Sequence, residues 1–295
     1  MITIMGATGH TGRAIAEILL GQGEKIRVLS RADDHLRPLT ERGAEPAVGD
    51  ASDRAYLVKA FRGADAVYAL IPPNMTAPDF RVYQDKIGES AASALAESGV
   101  RHVVFLSSIG ADLPEGTGPI VGLHRQEERL KKVSGLNVLA LRPAYFFENH
   151  FATLGLIKAQ GIDGGALAPD LAFPQIATQD IARVAAEALR QRDFKGFTVR
   201  ELLGSRDLTM LEATKILGQT IGKPDLPYVQ FSYADFAQSL EQMGLSASLA
   251  RDYSEMVRGF NEGRVKPTQP RGERTTTPTR FEDFVGELAT AYRGM

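Results

Sequence analysis

Several ingredients are missing from this 295-residue sequence, and each absence excludes a class of function. There is no cysteine, which excludes disulfides, thiolate nucleophiles and zinc–thiolate sites. No run of about 18 apolar residues occurs, so we expect no membrane span. A net charge of −2 argues against a bulk nucleic-acid binder. Because Met1 begins an apolar run with no basic leader before it, we expect no signal peptide and a cytoplasmic protein.

A glycine-rich turn follows the first apolar run. Residues 1–13 read MITIMGATGHTGR, with Gly6, Gly9 and Gly12 in G-x-x-G-x-x-G spacing before an apolar-periodic segment. This pattern predicts a strand, a tight turn and a helix. Gly6 would permit unusual backbone angles, Gly9 would let a diphosphate approach the backbone, and Gly12 would let the helix pack closely. The alternative is a turn whose glycines serve packing alone.

The start of that helix would be positively polarised and open to an anion. The backbone amides that would face the diphosphate of a dinucleotide are those of Thr8, Gly9, His10, Thr11 and Gly12.

Short apolar strands alternate with helical segments through the first half of the chain. Strands are predicted at 24–30, 45–48, 64–71, 103–106 and 137–141, which indicates an α/β protein with a doubly wound parallel sheet. Ligands of such sheets bind outside the carboxyl ends of the strands. The residues expected at those ends are Gly6, Arg31, Asp50, Ile71, Ser107 and Pro143.

Two of these strand-end residues indicate how a nucleotide would be bound. Arg31 lies about 20 residues past the glycines, where an acidic residue would bind the ribose of NAD. Its planar fork suits the 2′-phosphate of NADP, which we favour over NAD, although Asp33 and Asp34 follow closely. Asp50 could accept a hydrogen bond from adenine. The alternatives are a solvated charge for Arg31 and a helix N-cap for Asp50.

The second half predicts a smaller lobe of helices and short strands. We assign residues 1–150 to the nucleotide-binding domain, with sheet additions from about 172–204, and residues 151–295 to an interleaved substrate lobe. Ala172–Ile176 is expected to return to the sheet, and Thr178–Asp180 to cap the next helix. Residues 262–278 predict a solvated basic loop. Thr279 and Glu282 predict a capping box for the last helix.

Four local patterns carry a family resemblance. They are GATGHTGR at the start, Gly49-Asp50, Phe105-Leu106-Ser107-Ser108, and LRPAYFFEN over residues 141–149; His124–Leu130 adds to them. On these patterns the chain resembles the NmrA-like branch of the atypical, extended short-chain dehydrogenases/reductases, and most closely its NADPH-dependent quinone reductases. The resemblance implies a Rossmann domain that binds NADP at Gly6–Gly12, Arg31 and Asp50. It also implies a nicotinamide site near Ser107, His124 and the Pro143–Phe146 turn.

The chain departs from that superfamily in its proton donor. Most members use a Tyr-x-x-x-Lys pair, whereas none of the eight tyrosines here has a lysine four residues later. Reduction of a simple ketone makes a strongly basic alkoxide that needs an acid within reach. Reduction of a quinone makes a phenolate, which water can protonate. The sequence therefore favours quinone-like or other small conjugated carbonyl substrates, held mainly by positioning.

The candidate catalytic residues are His124 and Tyr145. His124 and Glu128 would share a helix face, so Glu128 could orient an imidazole that meets the ribose or substrate; a helix-surface pair is the alternative. Tyr145, Phe146 and Phe147 follow a strand end and could support a flat ring, or could pack in the core. Because no third ligand accompanies His124 and Glu128, we expect no metal.

Two functions remain open at this point. The first is an NADPH-dependent reductase that transfers a hydride to a small conjugated carbonyl compound. The second is a non-catalytic NADP(H) sensor that acts through a protein partner, as in some members of the resembled branch. The sequence predicts neither nucleic-acid nor membrane binding, and it leaves homo-oligomerisation open.

Overall fold

The computed structural model describes residues 1–295 and contains twelve strands and eleven α-helices. The strands are β1 (Ile2–Ile4), β2 (Ile26–Ser30), β3 (Glu45–Val48), β4 (Ala66–Ala69), β5 (His102–Leu106), β6 (Asn137–Pro143), β7 (Tyr145–Phe146), β8 (Asp163–Gly165), β9 (Phe173–Ile176), β10 (Phe197–Leu202), β11 (Asp207–Leu208) and β12 (Tyr228–Gln230). The helices are α1 (His10–Gly21), α2 (Arg37–Thr40), α3 (Arg54–Phe61), α4 (Phe80–Ser98), α5 (Ile120–Lys131), α6 (Leu154–Gln160), α7 (Thr178–Gln191), α8 (Met210–Thr220), α9 (Tyr233–Gln242), α10 (Ala247–Asn261) and α11 (Phe281–Gly294). Two 3-10 segments, Asp34–Leu36 and Phe147–Thr153, complete the elements.

Seven parallel strands form the main sheet in the order β10-β6-β5-β4-β1-β2-β3. Helices α1 and α7 pack together on one face, and α3, α4 and α5 pack on the other. Every residue of β4 is buried, as expected for a strand covered on both faces. The strand order reverses between β1 and β4, which opens a crevice at their carboxyl ends. The predicted doubly wound α/β fold is confirmed.

The remaining strands form two small sheets outside the main one. β9 lies between β7 and β11 in a three-stranded sheet, and β8 pairs with β12. The prediction that Ala172–Ile176 returns to the main sheet is therefore wrong, because that segment pairs with Tyr145–Phe146 and with Asp207–Leu208. The edge position beside β6 belongs to β10 instead.

Two predicted helix caps are also wrong. The carboxylate of Glu148 accepts the N–H of Thr178 at 3.0 Å, and Thr178–Asp180 lie inside α7. Asp180 accepts the N–H and hydroxyl of Thr279 at 2.9 and 2.8 Å, so Thr279 ties α11 to α7 instead of capping α11. At α7 a carboxylate distant in sequence takes the place of the local cap. At α11 the distant carboxylate of Asp180 binds Thr279, and the local capping box lies one residue later, where Asp283 accepts the Arg280 N–H at 3.4 Å.

The basic segment 262–278 is the largely exposed loop that its composition predicts, and several of its residues also pack as a strap along β10. The fully buried carboxylate of Glu201, on the edge strand β10, accepts both the N–H and the hydroxyl of Thr268. Arg271 donates to the carbonyls of Leu203 and Gly204. The strap thereby covers the open edge of β10, which would otherwise present unpaired backbone groups. None of the helices is both long enough and apolar enough to span a bilayer.

Candidate functional site

The turn between β1 and α1 presents bare backbone at the reversal of the sheet. Gly6 has φ +64°, and a Cβ on Gly12 would lie 2.3 Å from the Gly6 carbonyl oxygen, so both positions require glycine. α1 has no side-chain cap, and the amides of Thr8, His10, Thr11 and Gly12 donate to no backbone acceptor. Unused amides at an open helix N-terminus fit the diphosphate of a dinucleotide.

The side chains of this turn face elsewhere. Thr11 is buried, and its hydroxyl accepts a hydrogen bond from Tyr68 at 3.0 Å. His10 is exposed and, with Glu148, lines a cleft of about 400 Å³ beside α7 and α11. We therefore expect Thr11 to reach a nucleotide through its amide alone.

The strand ends on the β2–β3 side bring Arg31 and Asp50 to one place. Arg31 is exposed and forms no ion pair, including none with Asp33 or Asp34. Asp50 accepts the Ser52 amide at 2.8 Å through one carboxylate oxygen, while Asp53 caps α3. Burial raises the pKa of Tyr83 above its ordinary value. The positive charge of Arg31 opposes this rise, and the negative charge of Asp50 adds to it. Arg31 and Asp50 follow the paired ends of β2 and β3, and Tyr83 lies close enough for both charges to act on its hydroxyl.

The ends of β4, β5 and β6 lie on the other side of the crevice. Ile71 follows β4 and is half-buried, whereas Pro143 closes β6 and is buried. The amides of Ser107 and Ile109 donate to the carbonyls of Leu141 and Pro143, so the two strand ends are joined beyond β5 itself.

The side chain of Ser107 faces into the protein. Its hydroxyl donates to Glu127 at 2.6 Å, and Arg142 donates to both oxygens of the same carboxylate at 2.9 and 2.6 Å. All three residues are more than nine-tenths buried. Burial alone would lower the pKa of Arg142, but its hydrogen bonds with Glu127 and the charge of Glu127 raise it overall. A nucleotide would therefore meet Ser107 through its backbone.

One ring nitrogen of His124 forms a hydrogen bond within the protein. Its Nδ1 lies 2.9 Å from the Ala111 carbonyl, which accepts from an Nδ1–H tautomer and leaves Nε2 as the nitrogen that can meet a ligand. The prediction that Glu128 orients His124 is wrong, because Glu128 pairs with Lys131 at 2.5 Å at the helix surface. The carboxylate that packs inward is that of the neighbouring Glu127, which binds Ser107 and Arg142. Nothing in the local sequence distinguishes Glu127 from Glu128 as the buried residue.

The three aromatic residues after β6 separate into two environments. Phe147 is buried in the core against Phe281 and Phe284, so the packing alternative holds for it. Tyr145 and Phe146 are half-buried on β7. The Tyr145 ring packs edge-on against Phe173, with centroids 5.5 Å apart. Two flat side chains therefore remain available beside Pro143 for a planar substrate.

Glu148 makes the stability of this region depend on pH. Burial raises the pKa of Glu148 above its ordinary value of 4.5, although the Thr178 hydrogen bonds oppose this. Because the folded chain holds the proton more tightly, this group destabilises the fold as the pH rises from 4.5 through its raised pKa.

Glu148→Gln keeps an acceptor for Thr178 but cannot ionise. We expect its free energy of unfolding, relative to wild type, to increase as the pH rises from 4.5 through the raised pKa of Glu148, and then to level off. Urea unfolding at several pH values measures this difference. A difference that is constant or decreases with pH would contradict the assignment.

Comparisons with known proteins agree with this geometry. Residues 6–192 match a family model described as NAD(P)H-binding. A (4-alkanoyl-5-oxo-2,5-dihydrofuran-3-yl)methyl phosphate reductase from Streptomyces griseus is 32% identical over 296 residues, which cover 99% of each chain.

Solved structures share the fold at lower identity. An NADPH-dependent quinone oxidoreductase from Escherichia coli, complexed with NADPH, superimposes with a TM-score of 0.79 at 23% identity, over 98% of this chain and 99% of that one. The triphenylmethane reductase of Citrobacter sp. superimposes with a TM-score of 0.82 at 18% identity, over 97% and 99%. The family resemblance predicted from the sequence is confirmed: the chain belongs to the NAD(P)H-binding family.

Proposed function

We propose that this chain is an NADPH-dependent reductase of small conjugated carbonyl compounds such as quinones and acylated unsaturated lactones. The observation that carries the proposal is the composition of the crevice. Amides without an acceptor lie at the start of α1, where a diphosphate would bind, and His124, Tyr145 and Phe146 are the groups that would act in place of the Tyr–Lys pair. When bound, the reduced nicotinamide would supply a hydride.

The preference for NADPH is supported by Arg31. Its guanidinium is exposed and has no carboxylate partner within the protein, so its donors are available for a 2′-phosphate. Asp50 and the Tyr83 ring would border the adenosine. The Escherichia coli neighbour of the same fold was solved with NADPH.

Arg31→Ala should weaken NADPH binding by about 10–100-fold and leave NADH binding within about twofold, since a charge-assisted hydrogen bond contributes about 1.5–3 kcal/mol. Arg190→Ala is the matched control, because Arg190 is exposed and pairs with Glu24 near the opposite end of β2. Parallel titrations with both nucleotides measure the effect. Equal losses for NADPH and NADH would refute the role of Arg31.

The chemistry is supported by the groups that remain without the Tyr–Lys pair. His124 can offer Nε2 to a ribose or substrate oxygen, and the half-buried Tyr145 and Phe146 can orient a planar ring. A conjugated product oxygen is weakly basic, so water can supply its proton. The Streptomyces griseus relative is named as a reductase of an acylated furanone, which is a conjugated carbonyl compound.

Loss of the nicotinamide absorbance in mixtures of protein, NADPH and a conjugated carbonyl acceptor tests the proposal. The acceptor panel is benzoquinones, naphthoquinones and 3-acyl butenolides with and without a phosphate ester. Turnover with at least one acceptor is expected. Tight NADPH binding without turnover on any of them would contradict the reductase and favour the sensor.

A further inference from the structure

Most tyrosine hydroxyls in this protein are used internally. Those of Tyr56, Tyr68, Tyr83 and Tyr228 donate to protein acceptors, and that of Tyr233 accepts from Asn261. Three half-buried tyrosines, Tyr145, Tyr253 and Tyr292, donate no hydrogen bond from their hydroxyls, although the Asn149 side chain lies near that of Tyr145. Tyr292 lies on α11 beside Lys158, whereas Tyr145 follows β6 and Tyr253 lies on α10.

Tyr253 lies on the apolar face of α10. Val257 and Phe260 follow it at four and seven residues, on the same helix face, and both are buried. Phe260 packs on Phe173 with centroids 5.6 Å apart, and Phe173 packs on Tyr145 at 5.5 Å. One aromatic stack thus joins the helix that carries Tyr253 to the strand that carries Tyr145.

Three strand ends meet at this point. The Tyr253 ring packs against the cluster of Ala77, Phe80 and Leu249, which includes the segment after β4. The carbonyl of Asp252 approaches Gly118 so closely that a Cβ there would lie 1.9 Å away, which fixes α10 against the loop after β5. Tyr145 itself follows β6. These contacts bring α10 and Tyr145 to the ends of β4, β5 and β6, on the side of the crevice where a substrate would meet a nicotinamide.

Both phenols are held neutral. Burial raises the pKa of Tyr253. Burial also raises the pKa of Tyr145, the charge of the neighbouring Asp163 raises it further, and the Asn149 side chain lowers it by less. Each hydroxyl thus keeps its proton at neutral pH and remains a hydrogen-bond donor.

We propose that the hydroxyls of Tyr145 and Tyr253 together bind the carbonyl oxygen of the substrate, as an oxyanion site that the sequence motifs do not reveal. This inference rests on the proposed function. During reduction a hydride forms a C–H bond at the conjugated carbon, and the displaced π pair moves onto the carbonyl oxygen. The reduced nicotinamide is oxidised, and water later protonates that oxygen. Two donors aimed at the developing charge would stabilise it most in the transition state.

Tyr253→Phe and Tyr145→Phe remove one hydroxyl each and keep the ring. Tyr292→Phe is the matched control, since its hydroxyl also has no hydrogen bond but lies on α11, beside Lys158. We expect kcat/KM with a quinone to fall by about 10–100-fold for either site variant. NADPH affinity and thermal midpoint should match those of Tyr292→Phe.

Binding of 4-nitrophenol to the NADP⁺-loaded protein provides a readout that does not need turnover. The wild type should bind the phenolate in preference to the phenol, seen as a lowered pKa of the bound probe in its absorbance. Each site variant should lose this preference by about tenfold or more.

The outcomes separate the two proposals. If the wild type prefers the phenolate and both site variants lose this preference, the oxyanion site is supported. This holds even if no acceptor is turned over, because the lack of turnover would contradict only the reductase. If Tyr253→Phe turns over a quinone with the same kcat/KM as Tyr292→Phe, the oxyanion site is overturned and the reductase proposal stands. No phenolate preference in the wild type would overturn it as well.

Discussion

Replacing Glu127 by alanine should lower the free energy of unfolding by about 3–5 kcal/mol, because it leaves a buried guanidinium without its partner. Arg142 is 7% exposed, and its only other carboxylate, Asp112, lies 3.7 Å away near the surface. The Ser107 hydroxyl would lose its acceptor too. Urea unfolding of the purified variant measures the loss.

Glu128→Ala is the control for this change. It lies next to Glu127 on the same helix, but its carboxylate is 44% exposed and pairs with Lys131, so its removal should cost about 0.5 kcal/mol or less. The double variant Glu127→Leu/Arg142→Leu removes both charges and should recover part of the loss. Similar stabilities of Glu127→Ala and Glu128→Ala would show that the buried pair does not anchor the ends of β5 and β6.

Gly12→Ala should weaken NADPH binding by about 100-fold or more. The added Cβ would lie 2.3 Å from the Gly6 carbonyl oxygen and 3.0 Å from that of Met5. Both contacts are with backbone atoms, so α1 must move away from the turn. Its N-terminal amides would then no longer point at the same diphosphate. The quenching or enhancement of nicotinamide fluorescence on titration measures the affinity.

Gly21→Ala provides the comparison within the same helix. Its Cβ would meet nothing within 4 Å, so NADPH binding should stay within about twofold of wild type. Gly12→Ala should also lose about 1–3 kcal/mol of stability through overpacking. Wild-type affinity in Gly12→Ala would contradict the diphosphate assignment, whatever its stability.

The fold could be predicted because its signals are local. β3 at Glu45–Val48 is specified by residues adjacent in sequence, and the structure confirms its predicted bounds. The Thr209–Glu212 capping box of α8 is local in the same way. The destination of Ala172–Ile176 was not predictable in this way. Its short, largely apolar run is compatible with a strand, whereas the choice of β7 and β11 as neighbours is tertiary.

The candidate site likewise contains residues that local spacing predicts and residues that only tertiary packing determines. The turn around Gly6–Gly12 and the strand-end residues Arg31 and Asp50 follow from spacing alone. The burial of Glu127 in place of Glu128 does not follow from spacing. Adjacent helix residues differ by about 100° in direction, and only packing decides which one is buried. Tyr253 carries no motif, and its relation to Tyr145 arises from the stack of Phe173 on Phe260.

Calorimetric titration of the wild-type chain with NADPH tests the central claim most directly. One nucleotide per chain should bind with a dissociation constant of about 10 μM or below, and NADH should bind more weakly. No saturable heat at about 1 mM NADPH would contradict the claim that the bare amides before α1 hold a dinucleotide, and with it the proposed reductase.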